Sequence, residues 1–178
     1  MTHEGVRAAT KKAIDIAKEN NVLISFDPNL REPLWESLEE AKKQILWGLQ
    51  QADVVKISDN EVEFLFGLSP EEGAKHLLQE YGCKLVFVTC GPEGAVYANT
   101  QAMGRVAGLT DVKVVDTTGA GDIFGGSAVS RLLDLGKEIA ELTEEDLAYI
   151  GRFATTAASL STEFIGGIPS IQDKEVIL

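Results

Sequence analysis

Residues 114 to 127 read VVDTTGAGDIFGGS, an apolar end, a turn of small residues, and a segment whose first turn carries a carboxylate. The composition predicts a strand over Val112 to Val115 that runs into Asp116 to Asp122, followed by a helix to about Leu135. At a helix start the first N–H groups have no intrahelical acceptor, and Gly119 and Gly121 let an anion approach them closely. The segment is therefore a candidate phosphate cradle. Asp122 serves a different purpose, because a carboxylate repels a phosphate but suits the removal of a proton from an attacking hydroxyl. On these residues alone, a plain strand-to-helix turn with Asp122 complementing the helix dipole is an equal alternative. Two other nucleotide motifs fail on spacing: Phe124 stands where G-x-G-x-x-G needs its third glycine, and no G-K-[ST] follows.

Outward from this turn, helical and strand patterns alternate. Val6, Ala9, Ala13, Ile14 and Ala17 lie at helical spacing, and Val22 to Phe26 then form a strand-like run that stops at Asp27-Pro28. Leu38, Ala41, Ile45 and Leu49 repeat the helical face before a strand at Asp53 to Ile57. A short helix from about Asp59 to Phe66 leads to Ser69-Pro70-Glu71-Glu72, which starts a helix to about Tyr81 with Ser as cap and Pro at the first helical position. Lys84 to Thr89, the turn Gly91-Pro92-Glu93-Gly94 and Ala95 to Ala98 read as a hairpin, with a meander through Val106. A last helix covers Thr143 to Ser161, capped by Thr143 with Glu144 and Glu145 in its first turn. The alternation implies one α/β domain with a largely parallel sheet.

The gross features narrow the function classes. With 178 residues and 44% hydrophobic content the chain supports one sizeable core. A formal charge of -12 repels polyanions, and no basic patch offsets it, so nucleic acid is not an expected partner. The longest apolar runs, Val22 to Phe26 and Leu85 to Cys90, fall far short of the roughly 18 to 20 residues that span a bilayer. The first residues lack the pattern of a secretory signal, which makes a cytoplasmic location the default expectation. Cys83 and Cys90 have neither zinc nor redox spacing and read as reduced structural thiols. His3 and His76 are the only histidines, and His76, on a helix among Glu71, Glu72 and Lys75, is a poor candidate for a triad.

DTTGAGD followed by Phe124 and Gly125-Gly126 resembles the C-terminal signature of PfkB-type, ribokinase-like carbohydrate kinases. Other segments agree in order. Asp27-Pro28-Asn29-Leu30-Arg31 with Leu34-Trp35 is similar to a segment of fructokinases and, more loosely, of 2-keto-3-deoxygluconate kinases. Lys56 to Glu61 resembles the family's N-x-x-E region with Ser58 in place of Asn. VFVTCGPEG at residues 86 to 94 and FIGGIPS at 164 to 170 resemble the nucleotide-contacting strand and turn and the final loop. The resemblance spans nearly the whole chain. It implies a three-layer α/β/α fold in which residues 1 to 178 are a single nucleotide-binding and catalytic C-terminal portion. The family's N-terminal strands, sugar contacts and small β lid have no counterpart in these residues.

Carried over by position, the resemblance implies that Asp122 is the catalytic base and that Gly119, Ala120 and Gly121 form the anion hole. Asn29 and Arg31 would lie near the phosphates, and Ser58, Thr89, Gly91 and Gly94 against the nucleotide. Glu61 would position Mg2+ through water, and Asp116, Thr118, Gly167 and Ser170 match positions that hold a monovalent cation such as K+ in some relatives. Local structure offers its own readings: Ser58-x-x-Glu61 is also a capping box, Gly91 to Gly94 also an ordinary β-turn, and Arg31 a partner for a nearby acid. The implied ligands are ATP, Mg2+ and a small sugar, with fructose ahead of 2-keto-3-deoxygluconate or ribose. A nucleotide-binding module without catalysis is the reading from another class. Missing strands would also leave an exposed sheet edge through which copies of the chain could associate.

Overall fold

The computed structural model describes residues 2–177. Its five strands lie in one mixed sheet in chain order: β1 (Ser25–Phe26), β2 (Val54–Ser58), β3 (Leu85–Thr89), β4 (Ala95–Asn99) and β5 (Met103–Val106). The first three are parallel, with Ser25 opposite Val54 and Val54 opposite Leu85. β4 and β5 continue antiparallel from β3, the meander that the Gly91 to Gly94 turn predicts.

Strand alternation sends successive side chains to opposite faces, and each face is covered. Val55, Ile57, Val86 and Val88 pack against Ile45 and Leu49 of α2 (Leu38–Leu49), Val62 and Leu65 of α3 (Asp59–Phe66), and Leu77 of α4 (Pro70–Glu80). Val54, Leu85 and Phe87 pack on the other face against Phe124, Ala128 and Leu132 of α5 (Ala120–Leu135) and Leu147, Ile150 and Ala154 of α6 (Glu144–Ser161). Helix, sheet and helix thus form three layers. α1 (Glu4–Glu19) forms where its periodicity predicts but buries none of its residues. α7 (Lys174–Ile177) is a single turn at the end of the described chain.

Helix starts follow the local chemistry. Ser58 with Glu61, Ser69 with Glu72 and Thr143 with Asp146 all close reciprocal capping boxes, which satisfy N–H groups that a helix cannot satisfy itself.

Two strand expectations are corrected. Val112 to Val115 is irregular: Val114 and Val115 are exposed, and the N–H groups of Val115 and Asp116 both donate to the Thr162 carbonyl at the end of α6 rather than to a strand. Val112 and Val114 line a cavity instead of pairing in the sheet. The run Val22 to Phe26 contributes only two strand residues, because β1 has a partner on one side alone, and Val22 and Leu23 stay exposed.

Asn99, buried at the end of β4, ties the sheet to the α5–α6 connection. Its Nδ2 donates to the carbonyls of Ile139 and Leu142 at 3.3 and 3.1 Å, while its Oδ1 accepts from the N–H groups of Gln101 and Ala102 at 2.9 and 2.8 Å. Asn99→Ala removes the partner of the Leu142 carbonyl and of the Gln101 and Ala102 N–H groups, while the Ile139 carbonyl keeps the Leu142 N–H, so urea titration is expected to show a loss of roughly 1–3 kcal/mol, the cost of an unsatisfied buried group. A loss within about 0.5 kcal/mol, typical of unimportant surface positions, would contradict this role.

Candidate active site

Open α/β sheets bind ligands beyond the carboxyl ends of their parallel strands. In this chain, the carboxyl ends of β1, β2 and β3 lead directly into Asp27, Ser58 and Thr89, and the start of α5 lies across them. Gly119 makes that crossing possible. Its φ is +82°, and a Cβ there would meet Gly167 Cα at 2.8 Å, so the turn demands both a left-handed residue and the absence of a side chain.

The helix start offers specific donors. The N–H of Ala120 is bonded to the Thr117 carbonyl at 3.2 Å, and that of Ile123 to the Gly119 carbonyl at 2.8 Å. Among the described residues, the N–H groups of Gly119, Gly121 and Asp122 have no acceptor. They are the unpaired donors of the first turn, with the Asp122 carboxylate exposed beside them.

Three cavities beyond the strand ends meet at this point, beside a fourth lined by Gly119, Asp122 and Gly167. The first, about 440 Å3, is mostly apolar and is lined by Leu109, Val112, Val114, Ala158, Thr89 and Gly121. Gly91 and Gly94 form part of its rim, and Thr155 in its wall is only 5% exposed with Oγ1 lacking any partner. The second is polar and holds Asn29, Arg31, Lys56, Ser58 and Glu61, with Thr89, Gly91 and Gly121 on the shared boundary. The third lies between β1 and α5 and is lined by Asp27, Lys56 and Asp122. Gly121 faces the first two and Asp122 the third.

Glu61 organises the polar cavity. It is 7% exposed, and its Oε1 accepts from the Leu30 N–H at 2.7 Å while Oε2 accepts from the Ser58 N–H and hydroxyl at 2.9 and 2.8 Å. Ser58 therefore is the α3 cap, and Glu61 both completes that cap and pins the loop bearing Asn29 and Arg31. Asn29 adopts a left-handed φ of 45°, and Arg31 is exposed, its Nη1 donating to the Leu30 carbonyl at 3.3 Å. With both its oxygens committed, Glu61 suits a metal held through water better than one bound directly.

A second pair of loops closes behind the cradle. Asp116 Oδ1 accepts from the Thr118 N–H at 2.9 Å and Oδ2 from the Gly166 N–H at 2.8 Å. Ser170 is fully buried, with its hydroxyl donating to the Gly167 carbonyl at 2.6 Å. Asp116, Thr118, Gly167 and Ser170 are thus brought together. Among the described residues no cluster of three His, Cys, Asp or Glu side chains could hold a metal, so a cation here would rest on carbonyl and hydroxyl oxygens around Asp116.

Sequence reasoning assigned no role to Asp27, Lys56 or Thr155. Burial pushes the Asp27 carboxyl up; Lys56 pulls it down, and the nearby Glu61 and Asp122 add to the upward push. The signal for Lys56 is in the sequence: a lysine interrupts the apolar run of VVKIS, and the strand buries it. His76 packs edge-on against Phe66 and Tyr81, ring centroids 4.7 and 5.6 Å away, and does not line the three cavities.

The pfkB family of carbohydrate kinases matches residues 3–174. The chain belongs to that family. Fructokinase-2 of Solanum habrochaites is 43% identical over 170 residues, covering 94% of this chain and 51% of that protein. Fructokinase-1 of Zea mays is 41% identical over 177 residues, with 98% and 54% covered. The chain spans about half the length of these curated relatives. A double mutant of the Vibrio cholerae O395 fructokinase, crystallised with fructose, ADP and potassium ion, superposes with a TM-score of 0.87 at 32% identity, over 99% of this chain and 56% of that one. Membership of the pfkB family agrees with the three-layer fold.

The Thr118 hydroxyl and the Gly166 and Thr118 N–H groups hold the Asp116 carboxyl below its ordinary range. A depressed folded value means that the clamp's contribution is present above the unfolded aspartate range near 3.9 and is lost as pH falls through the folded value beneath it. The Gly166 amide resonance is therefore expected to titrate with a midpoint below that of a free aspartate. A midpoint at or above about 3.9 would contradict the clamp.

Proposed function

We propose that this chain carries the ATP-binding and phosphoryl-transfer half of a sugar kinase, with fructose as the acceptor. The observation that supports it most is the placement of the Asp122 carboxylate beside the unpaired N–H groups of Gly119, Gly121 and Asp122 at the meeting point of three cavities. The apolar cavity suits a flat base, with Thr155 as its polar contact. The polar cavity suits the phosphates, with Asn29, Arg31, Ser58 and Thr89 around them and Gly91 and Gly94 under the nucleotide. The third cavity faces the acceptor.

In this reading Asp122 takes the proton from the sugar hydroxyl, whose oxygen then forms a bond to the terminal phosphorus of ATP as the bond to ADP breaks. Gly119, Ala120 and Gly121 shape the anion hole, and its free donors stabilise the charge that develops on the transferred group. Glu61 would hold Mg2+, through water, and the ion would supply neutralisation of the phosphate charge. A monovalent cation such as K+ at Asp116, Thr118, Gly167 and Ser170 would fix the loops behind the helix start. An acidic chain can bind ATP because this neutralisation is local. Two buried reduced cysteines fit a cytoplasmic setting.

The third cavity opens at β1, one of the two edge strands of the sheet. That edge is where sugar-binding strands would complete the site, or where a second copy of the chain would pair. The choice of fructose leans on the relatives at 41 to 43% identity.

In a protein that supplies this chain together with an acceptor-binding half, Asp122→Asn is expected to lower turnover on the order of 100-fold or more with ADP affinity nearly unchanged, as for a positioned base. Near-normal turnover would remove Asp122 from that role. The 178 residues alone are expected to release ADP from Mg-ATP no faster with saturating fructose than without it, since orientation of the acceptor contributes up to about 7–11 kcal/mol of barrier reduction. Fructose-dependent ADP release from the isolated chain, at verified intact mass, would overturn the division of the site. Nucleotide binding with no turnover in the completed protein would favour a non-catalytic binding module.

A further inference from the structure

Lys56 sits in the middle of β2, among Val54, Val55 and Ile57, and is 9% exposed. Burying an ammonium is costly unless something compensates it. One partner is visible: Nζ donates to Asp27 Oδ2 at 3.1 Å. The ammonium has three donors, so two remain without an acceptor among the described residues. The partner is also incomplete, since Asp27 Oδ1 is buried with no hydrogen bond. A structural ion pair that existed only to fill the core would be expected to close on itself.

The surroundings show what the open donors face. A Cβ on Gly121 would lie 2.8 Å from Lys56 Nζ, which puts the ammonium directly against the second residue of α5. Lys56 lines both the polar cavity with Glu61 and the cavity with Asp27 and Asp122. Among the described residues, the only other cation lining either of them is Arg31, which is exposed. Backbone N–H groups supply only partial charges at the helix start, so a full positive charge held against Gly121 is the strongest local attraction for an anion.

We propose that Lys56 is a phosphate-contacting residue of the cradle, positioned by Asp27 and given room by the absence of a side chain at Gly121. The ligand it serves is the phosphate chain of a nucleoside polyphosphate. This rests on the nucleotide reading of the site and adds to it a specific side-chain cation, one that sits between the donor and acceptor cavities where a transferred group would pass.

The test is calorimetric titration of the chain with ADP and with adenosine, each with magnesium at fixed ionic strength. Lys56→Met keeps the length and apolar stem, and is expected to weaken ADP by at least about tenfold, the scale of one charge-assisted hydrogen bond, while adenosine changes less than about twofold. A merely structural lysine would move both ligands together or neither. ADP affinity equal to that of the unaltered chain, or equal losses for ADP and adenosine, would overturn the role of Lys56 and leave the cradle standing. If the unaltered chain binds ADP no more tightly than adenosine, the cradle reading falls and Lys56 with it. Should Lys56→Met fail to fold, the unaltered chain decides: the Lys56 side-chain Cε resonance is expected to shift with ADP and not with adenosine, and no shift with ADP would overturn the proposal.

Discussion

The close approach of Gly119 to Gly167 is the constraint on which the rest of the site depends. Two loops almost fifty residues apart in sequence meet with no side chain between them, and a methyl group at Gly119 would press on Gly167 Cα at 2.8 Å. That contact lets the chain turn left-handed after Thr118 and brings α5 across the ends of β1, β2 and β3. The Asp116 clamp to Gly166 and the Ser170 hydroxyl on the Gly167 carbonyl hold the second loop in place. Without this packing, the unpaired donors of Gly119, Gly121 and Asp122 would have no fixed relation to the cavities beyond the strands.

The second organising interaction is charge. Asp27, Glu61 and Asp122 gather around one buried ammonium, and each has a distinct arrangement. Glu61 spends its oxygens on backbone and hydroxyl donors, Asp27 pairs with Lys56, and Asp122 stays exposed. Similar carboxylates thus sit in different environments because their burial and partners differ.

Much of the fold was legible because its determinants are local. Ser58, Ser69 and Thr143 announce helix starts through bonds that span three residues, and α5 begins where the glycine turn ends. The segment at Val112 to Val115 misled because valine-rich runs look alike whether they pair in a sheet or line a cavity. The N–H groups of Val115 and Asp116 found their acceptor at the Thr162 carbonyl instead of a strand. The candidate site was legible as a set of motifs, with Asp122, Glu61 and Thr89 placed along the chain. What sequence could not give was contact between distant residues. Lys56 and Gly121 meet across 65 positions, and only a charged residue in an apolar strand hinted at it.

The central claim is that the start of α5 is an anion cradle, and a crystal structure of this chain with ADP and Mg2+ tests it most directly. The account predicts the terminal phosphate within about 3.2 Å of the N–H groups of Gly121 or Asp122, ordinary hydrogen-bond distance, with the base in the cavity lined by Val112, Val114 and Ala158. ADP bound with its phosphates remote from that helix start would contradict it.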